Sequence, residues 1–338
     1  MNLINALKRA YCHVRVVVVL TSVAVLLNGC DQISKPAERI EQAAEGSSAA
    51  ALSADGRWAI HATIHHNLAL WDNETQGLRY QWQLGDQSSP VYLTRFSPNG
   101  NYVVTASDRE IAIWSVTSGE SIGWFTIPDS RIRDIAIDNE ATGILYGLAD
   151  GRAVYVERQT GRRLEFLGHQ EKINAVDLSA NGLYAITGSS DYSAKLWSTE
   201  TAQIIQQFNH PSRVTQVRFD QQGRYVFTAD SLKQARIWRI PSGDMVSNLN
   251  FKSRQQVFSA ARFSADGQWL ATGSPSRQLT LWHVETGQKI AGWQVARQSD
   301  NRWRSAVVYD VAFSGRWLFS VSSSGYTEAW PLPQQALQ

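Results

Sequence analysis

Histidine, threonine and aspartate occur close together in the sequence at His169, Thr187 and Asp191, with two serines between the last two. Hydroxyl, imidazole and carboxylate groups are the parts of a hydrolytic triad, in which the hydroxyl attacks and the imidazole carries the proton. Such a triad also needs an exposed nucleophile and an oxyanion hole, and no segment of the sequence predicts either one. A glycine-rich phosphate loop and a nucleophile elbow are absent from the sequence as well. We therefore expect no enzymatic activity and no cofactor.

A second group of chemically capable side chains comprises His61, His65 and His66. Imidazole is a common metal ligand, but strand geometry places residues 61 and 65 at the two ends of one hairpin arm. No acidic residue at a suitable spacing completes a site, and the sequence holds no cysteine cluster. We expect no metal site. The alternative role for these imidazoles is hydrogen bonding between blades of the fold inferred below.

Cys30 directly follows an apolar segment. Residues 16–27 carry no charge, and they come after three basic residues, Lys8, Arg9 and Arg15. These twelve residues are too few for a membrane-spanning helix, which needs about 20. The order of basic, apolar and small residues is that of a secretory signal. The ending LLNGC resembles the lipobox of bacterial lipoproteins, which implies cleavage before Cys30 and acylation of its thiol.

The lipobox resemblance has consequences for the compartment. An acylated Cys30 implies a lipid anchor in the bilayer, and Asp31 is similar to the signal that keeps lipoproteins of enteric-type bacteria in the inner membrane. The alternative is an ordinary signal peptide, or a weak membrane helix, with a chance cysteine at its end. We expect residues 1–29 to be a cleaved signal, residues 30–35 to be the lipidated cysteine with a short tether, and the rest to face the periplasm.

The charge balance changes once the signal segment is set aside. The chain carries 32 basic and 30 acidic residues, and residues 1–29 hold three of the basic ones and none of the acidic ones. The remainder is close to neutral, whereas nucleic-acid-binding domains are usually strongly basic, so we expect no nucleic-acid partner. Of the two cysteines, Cys12 would leave with the signal and Cys30 would be acylated. Stability must therefore come from the core without a disulfide.

Tryptophan residues reveal an internal repeat. Six of the 13 tryptophans end the same short phrase, and a tyrosine takes that place in a seventh copy. The blade-closing aromatic residues are Trp71, Trp114, Tyr155, Trp197, Trp238, Trp282 and Trp330. Their intervals run from 41 to 48 residues, close to the roughly 40–45 residues of a four-stranded propeller blade.

A second phrase lies 18 or 19 positions before five of these aromatic residues. Its copies are LSADG (52–56), FSPNG (96–100), LSANG (178–182), FDQQG (219–223) and FSADG (263–267). Asparagine or aspartate before glycine suits the positive φ angles of tight hairpin turns. Alternating apolar runs such as LYAITGS, between phrase and aromatic residue, are typical of strands. The pattern predicts an all-β chain.

Together these phrases resemble WD40 repeats over residues 36–332. The fullest copy, LGHQEKINAVDLSANGLYAITGSSDYSAKLWS, carries a Gly-His pair, the turn phrase, an aspartate and the closing tryptophan. The resemblance implies a buried hydrogen-bonded tetrad in this copy, formed by His169, Thr187, Asp191 and Trp197. We expect only this copy to be complete, because the fifth repeat has Leu232 where the aspartate belongs. The first repeat has His61 and His65 at the threonine and aspartate positions.

The resemblance implies a seven-bladed WD40-type β-propeller. The ending PLPQQALQ is too rich in proline to be a good fourth strand for the last blade. Residues 37–42 align with the outer strands of the other repeats, so we expect an N-terminal strand to complete blade seven. The alternative is a short helix, which AERIEQAAE favours intrinsically. Residues 36–332 would then form the propeller and residues 333–338 a C-terminal tail.

The long connection between blades six and seven, residues 295–310, is the most specific surface feature. In a WD40 ring it lies on the narrow top face with the second-hairpin turns. Tryptophan and arginine are enriched at binding hot spots. The candidate partner-binding residues are Arg302, Trp303 and Arg304, with Arg277 and Tyr192 as weaker contributors. The alternative is a solvated loop whose tryptophan packs onto the ring.

The leading hypothesis is a membrane-anchored, non-enzymatic propeller that binds a protein or peptide through rigidly held loops. A second hypothesis is a hydrolytic or small-molecule-binding propeller that uses the central channel. That function would need carboxylates or histidines at the inner-strand ends, where the repeats suggest mostly apolar residues. A third is a quinoprotein-like assembly scaffold, because TG phrases follow several closing aromatic residues.

Overall fold

Seven four-stranded antiparallel sheets form the part of the chain that the structure describes. The computed structural model describes residues 35–63, 67–84, 90–251, 256–298 and 305–337. The prediction of an all-β, seven-bladed propeller is confirmed. Within these ranges no helix is long and apolar enough to cross a membrane. The signal segment, Cys30 and Asp31 lie outside them.

Each blade contains four consecutive strands, except that strand β1 (Glu38–Glu41) belongs to the last blade. The strands of blades one to three are β2 (Ala49–Leu52), β3 (Trp58–Ala62), β4 (Asn67–Asp72), β5 (Gly77–Gln83), β6 (Leu93–Phe96), β7 (Tyr102–Ala106), β8 (Glu110–Ser115), β9 (Ser121–Thr126), β10 (Ile132–Ile137), β11 (Gly143–Leu148), β12 (Ala153–Glu157) and β13 (Arg163–Phe166). The predicted closing aromatic residue is on the third strand of each blade.

Blades four to seven repeat this order, and a short 3₁₀ helix, Gln334–Ala336, follows the last strand. Their strands are β14 (Ile173–Leu178), β15 (Tyr184–Ser189), β16 (Ser193–Ser198), β17 (Ile204–Asn209), β18 (Val214–Phe219), β19 (Tyr225–Asp230), β20 (Ala235–Arg239), β21 (Met245–Asn248), β22 (Ala260–Phe263), β23 (Trp269–Gly273), β24 (Gln278–His283), β25 (Lys289–Gln294), β26 (Val308–Ser314), β27 (Trp317–Ser322) and β28 (Tyr326–Pro331).

The glycine-ending phrase forms the turn between the first and second strands of a blade. In blade four, the Ser179 hydroxyl donates to Asn181 Oδ1 at 2.7 Å and accepts from the Tyr184 N–H at 2.9 Å. Gly182 has φ = +72°, a left-handed conformation that glycine adopts without a steric cost. The phrase therefore fixes the turn that directs the second strand back along the first.

The hydrophobic core is divided among the interfaces between neighbouring blades. Between blades three and four, Leu145 and Tyr155 pack with Val176 and Trp197 in one buried cluster. Both faces of a blade are covered in this way, so its middle strands are almost continuously buried, as β11 and β19 show. The ring is thus held by repeated contacts between sheets.

Antiparallel strands bring the turns to two opposite ends of each blade. We define the top face as the end with the second-to-third-strand turns and the connections between blades, where Leu167 and Tyr192 lie. The bottom face is the end with the first-to-second-strand turns, where Pro98 and Leu183 lie. These two faces and the channel between the innermost strands are the surfaces available for function.

Strand β1 completes blade seven, at the place where alignment of the repeats puts an outer strand. It pairs antiparallel with β28, with Glu38 opposite Ala329 and Glu41 opposite Tyr326. The Ala37 N–H extends the ladder by donating to the Ala329 carbonyl at 2.8 Å. Pairing removes the open edge of β28 and outweighs the helical preference of this segment. The ring is closed by two segments from opposite ends of the described chain.

Candidate binding surfaces and polar networks

The candidate partner-binding residues lie at the top of the ring where the structure describes them. The Tyr192 side chain is 54% exposed in the turn between β15 and β16. Arg277 lies in the corresponding turn of blade six, where Nε and Nη2 donate to the Val295 carbonyl at 2.9 and 2.6 Å. Its guanidinium is therefore largely occupied in holding the chain after β25. Residues 302–304 lie outside the described ranges.

Arg302, Trp303 and Arg304 therefore remain predicted contact residues with no structural account.

Large apolar side chains are exposed at the top of three consecutive blades. Leu167 is 70% exposed after β13, Tyr192 is 54% exposed in blade four, and Leu232 is 44% exposed in the turn before β20. Exposed cations on the same face include Arg213 and Lys233. Apolar residues with a charged surround are typical of binding surfaces. The sequence analysis did not single out Leu167, because it belongs to the fullest repeat copy, whose residues were given structural roles.

The predicted tetrad of blade four has three hydrogen-bonded members. His169 bonds Asp191 Oδ2 through Nδ1 and Thr187 Oγ1 through Nε2, both at 2.8 Å. Trp197 is fully buried, but its Nε1 has no hydrogen-bond partner among the described residues. Its ring instead stacks on Phe166, with centroids 4.5 Å apart and planes only 2° from parallel. The prediction of a four-membered network here is wrong, because ring stacking takes the place of the indole hydrogen bond.

The four-membered network occurs in blade five, contrary to the expectation from Leu232. Asp230 Oδ2 lies 3.3 Å from His210 Nδ1, and His210 Nε2 lies 2.9 Å from Thr228 Oγ1. Trp238 Nε1 then donates to the same threonine oxygen at 2.8 Å. The aspartate that completes the network is two positions before Leu232. Position within the repeat therefore misidentified the acid, since the carboxylate is at the end of β19 rather than in the turn.

Burial shifts the pKa values of these groups in opposite directions. Burial lowers the pKa of His210, although the charge of Asp230 acts to raise it. For Asp191, burial alone would raise the pKa, but hydrogen bonds from His169 and Ser193 outweigh burial and hold it below its usual range. The His169 side chain is completely shielded from solvent, and Thr187 is fully buried. No substrate can reach this hydroxyl, so the arrangement is a structural network and no hydrolytic triad.

Closing aromatic residues in other blades use the same hydroxyl position. The indole Nε1 of Trp114 donates to Thr105 at 3.0 Å, and Trp330 donates to Ser320 at 2.9 Å. Trp282 donates to Thr272 at 2.8 Å. The predicted hydrogen-bond role of this position therefore extends beyond the blades with a complete network.

Blade one replaces this network with a different one, centred on His61. The imidazole is fully buried and contacts Ser47 Oγ at 2.8 Å and Gln42 Oε1 at 2.9 Å. The same Gln42 oxygen accepts from Thr327 of blade seven, at 2.5 Å. With neutral partners only, burial lowers the pKa of His61 to about 4. Both ring nitrogens of His61 are therefore hydrogen-bonded, and they join blade one to the closing segment. This is the hydrogen-bonding role that the sequence offered as the alternative to a metal ligand. His65 and His66 lie outside the described ranges.

The central channel differs from the apolar lining that the repeats suggested. Three guanidinium and three carboxylate groups come from the innermost strands. They belong to Arg95, Asp134, Asp177, Arg218, Arg262 and Asp310. Arginine comes immediately before the apolar residue of the turn phrase in three repeats. That sequence signal, RF, was available in alignment of the repeats, and it locates the arginines.

Two pairs in the channel are fully formed between neighbouring blades. Arg95 contacts Asp134 at 3.1 Å and Arg262 contacts Asp310 at 2.8 Å. Each aspartate also accepts a backbone N–H from the next blade, Asp134 from Val176 at 2.9 Å and Asp310 from residue 52 at 3.0 Å. These charged side chains therefore connect three blades at a time around the channel.

Comparisons with known proteins agree with this architecture. The family "WD domain, G-beta repeat" matches residues 80–115, 161–198, 202–239 and 246–283. Each matched stretch runs from the outer strand of one blade to the third strand of the next. No curated protein matches the chain in sequence.

A solved structure described as "Crystal Structure of Mitotic Checkpoint Complex" contains a chain of similar fold. Its TM-score is 0.72 at 15% sequence identity, and the alignment covers 90% of this chain and 94% of that chain. Identity this low shows the fold alone. The repeated strand order and this structural likeness agree that the chain is a seven-bladed β-propeller, and four stretches of it match the WD40 repeat.

Proposed function

We propose that the protein is a non-catalytic propeller that binds a protein or peptide partner through its top face. The observation that supports it most strongly is the set of apolar side chains exposed on three consecutive blades, Leu167, Tyr192 and Leu232. Rigid blades hold these residues in a fixed relation, so binding would not require ordering of a mobile surface. The predicted contact residues Arg302, Trp303 and Arg304 would add to the same binding.

We further propose that an acylated Cys30 anchors the propeller in the membrane of the cell envelope, facing the periplasm. The support is the LLNGC ending, followed by Asp31, which favours the inner membrane. The distance along the chain from Cys30 to β1 is short. The propeller would therefore remain near the bilayer, and partners at the membrane surface would be within its reach.

Crosslinking in the native envelope, followed by identification of the co-purified proteins, tests partner binding. We expect a double Leu167→Ala and Tyr192→Ala variant to recover much less partner, with unchanged thermal stability. Leu183→Ala is the matched control, because Leu183 is 54% exposed on the bottom face. Equal loss in the control, or full recovery with the top-face variant, would contradict the assignment of the surface.

The long connection is tested separately. Replacing Trp303 by alanine is expected to weaken binding by about 2 kcal/mol or more if it is a hot spot, with little change in melting temperature. A large loss of stability would instead show that Trp303 packs into the ring. Full binding by an Arg302, Trp303 and Arg304 triple-alanine variant would limit the contact surface to blades three to five.

Labelling with radioactive fatty acid tests the anchor. The wild-type protein should incorporate label, and Cys30→Ala should abolish incorporation and either release the protein or stall its processing. Asp31→Ser should move lipidated protein towards the outer membrane fraction. Absence of label on the wild-type protein would reject the lipid anchor while leaving the top-face proposal untouched.

A further inference from the structure

The charged residues of the channel are arranged in two layers along the innermost strands. The lower layer is the position before the apolar residue of each turn phrase, and its charged members are Arg95, Asp177, Arg218 and Arg262. The upper layer is two residues earlier in each strand, and it contains Asp134 and Asp310. Side chains two residues apart on a strand point to the same side, so both layers face the channel.

The two layers are related by one pairing rule. An arginine in the lower layer of one blade pairs with an aspartate in the upper layer of the next blade. Arg95 of blade two pairs with Asp134 of blade three, and Arg262 of blade six pairs with Asp310 of blade seven. Arg218 of blade five is the exception. The upper position of blade six is Ala260, which offers no acceptor.

Arg218 is consequently short of hydrogen-bond acceptors. Its Nη1 donates to the carbonyls of Val176 and Val217 at 3.4 and 3.2 Å, and its other guanidinium N–H groups make no hydrogen bond to a described residue. The Asp177 carboxylate of blade four instead accepts the Phe219 N–H at 2.8 Å. Arg218 is nevertheless only 9% exposed. The remaining Arg218 nitrogens are not among the described buried atoms that lack a partner, so their N–H groups are open to solvent in the channel and can donate to a ligand.

Other groups in this part of the channel are also donors. Arg95 Nε and Gln216 Nε2 are buried with no partner among the described residues. Gln216 occupies the upper position of blade five, directly above Arg218 in the strand. Burial and the nearby charge of Arg95 lower the pKa of Arg218, and the carboxylates of Asp177, Asp134 and Asp310 offset this only in part, whereas for Arg95 the carboxylates outweigh burial. Charges of both signs line this part of the channel, and its buried polar atoms without a partner among the described residues are donors.

A cavity adjoins these groups and opens to the bottom face. Its volume is about 90 Å³, which is more than the roughly 10–15 Å³ that one water molecule needs and is suited to a small ion rather than to a larger organic ligand. Its wall includes Arg218 and Asp177, and its rim includes Pro98, Ala180 and Gln221 from the first-to-second-strand turns. A solute can therefore approach Arg218 from the side opposite the top-face surface.

We propose that this end of the channel binds a small oxyanion, a phosphate or a carboxylate, through the guanidinium of Arg218. Oxyanions supply several acceptors in the planar arrangement that guanidinium groups match. The anion takes the place that an aspartate holds in the two complete pairs. It would thereby connect blades five and six, as Asp134 connects blades two and three and Asp310 connects blades six and seven.

Calorimetric titration and thermal melting of the full-length protein in phosphate-free buffer test the proposal. Sodium phosphate and sodium succinate are added separately, with sodium chloride at matched ionic strength as the reference. We expect saturable binding and a rise in melting temperature with phosphate or with succinate, and the preferred probe identifies the class of oxyanion. An equal effect of chloride, or no effect of either probe, would overturn the proposal.

Variants assign the binding to the proposed residue. Arg218→Met should weaken anion binding by about tenfold or more, while its melting temperature in chloride stays equal or rises because a buried charge is removed. Arg213→Met, at an exposed top-face arginine, is the matched control and should bind as the wild type does. Binding by Arg218→Met with unchanged affinity would overturn the assignment.

A second substitution keeps the test valid if Arg218→Met does not fold. Ala260→Asp gives Arg218 the carboxylate that the other two arginines have. We expect this variant to lose anion binding although Arg218 is present. Wild-type affinity in a folded Ala260→Asp variant would contradict the pairing rule from which the site is inferred.

Discussion

Blades four and five are neighbours of nearly equal length, but their closing tryptophans pack and hydrogen-bond differently. In blade four, Trp197 lies flat against Phe166 and leaves its indole N–H unpaired. In blade five, Trp238 is tilted 27° from Phe208 and donates to Thr228. The blade with the fuller sequence motif therefore has the less complete network. Aromatic packing and hydrogen bonding compete for the orientation of one ring.

The largest effect that separates the two blades should come from truncation of the closing tryptophans. Trp197→Ala is expected to lower the free energy of unfolding by about 3–5 kcal/mol, because the side chain is fully buried. Trp238→Ala should lower it less, by about 2 kcal/mol, since Trp238 is only partly buried. Urea titration of both variants measures the difference. A larger loss for Trp238→Ala would mean that the hydrogen bond outweighs packing.

The histidine of blade one extends the comparison to a network without a carboxylate. The unfolded chain protonates His61 below about pH 6.5, but the folded protein resists protonation down to about pH 4. The contribution of neutral His61 to the free energy of unfolding is therefore present in full above pH 6.5. It falls by roughly 3 kcal/mol as the pH falls towards 4. His61→Gln should flatten this part of the pH profile.

His210→Gln is the comparison variant for that measurement. Burial also lowers the pKa of His210, but Asp230 opposes the shift, so its contribution to the same slope should be smaller. Stability profiles between pH 4 and 7 would contradict this account if His61→Gln kept the wild-type slope.

The two aspartates provide the next contrast. Asp230 is completely buried and Oδ1 accepts the N–H groups of residues 232, 233 and 234 at 2.8–3.1 Å. Asp230→Ala should cost about 3 kcal/mol, and Asp191→Ala about 2 kcal/mol because Asp191 is partly exposed. Both losses are readable from denaturation midpoints at pH 7. A neutral Asp230→Ala would show that the turn, not the carboxylate, holds blade five.

The smallest expected difference concerns the threonines. Thr228 has two side-chain partners, His210 and Trp238, whereas Thr187 has only His169 as a side-chain partner among the described residues. Thr228→Val should therefore cost about 1 kcal/mol more than Thr187→Val, since one more buried group loses its partner. Equal costs would indicate that the Trp238 hydrogen bond adds little to stability.

Much of the ring could be predicted from the sequence, because the spacing of the closing aromatic residues and the glycine-ending turns repeats with the period of one blade. The final strand was also predictable, since residues 37–42 align with the outer strands. The networks within a blade were less predictable. The side-chain orientation of Trp197 depends on Phe166 in three dimensions, and Asp230 acts from a position that the repeat assigns to a serine in blade four.

The charged lining of the channel was not predicted from the sequence, for a different reason. Its charges come from single positions in separate repeats, so no local phrase contains both members of a pair. Arg95 and Asp134 are 39 residues apart, and only superposition of the blades shows that one is below the other. Pairing across blades is thus visible in the aligned repeats but hidden in the linear sequence.

Closure of the ring imposes an order on folding. Strand β1 is synthesised first among the described strands, but its only ladder partner is β28, 289 residues further on at the Arg39–Glu328 contact. The first strand to emerge is therefore the last to find its place. Until β28 has been synthesised, six blades can assemble while β1 remains unpaired and exposed. A chaperone would protect the protein most during this interval.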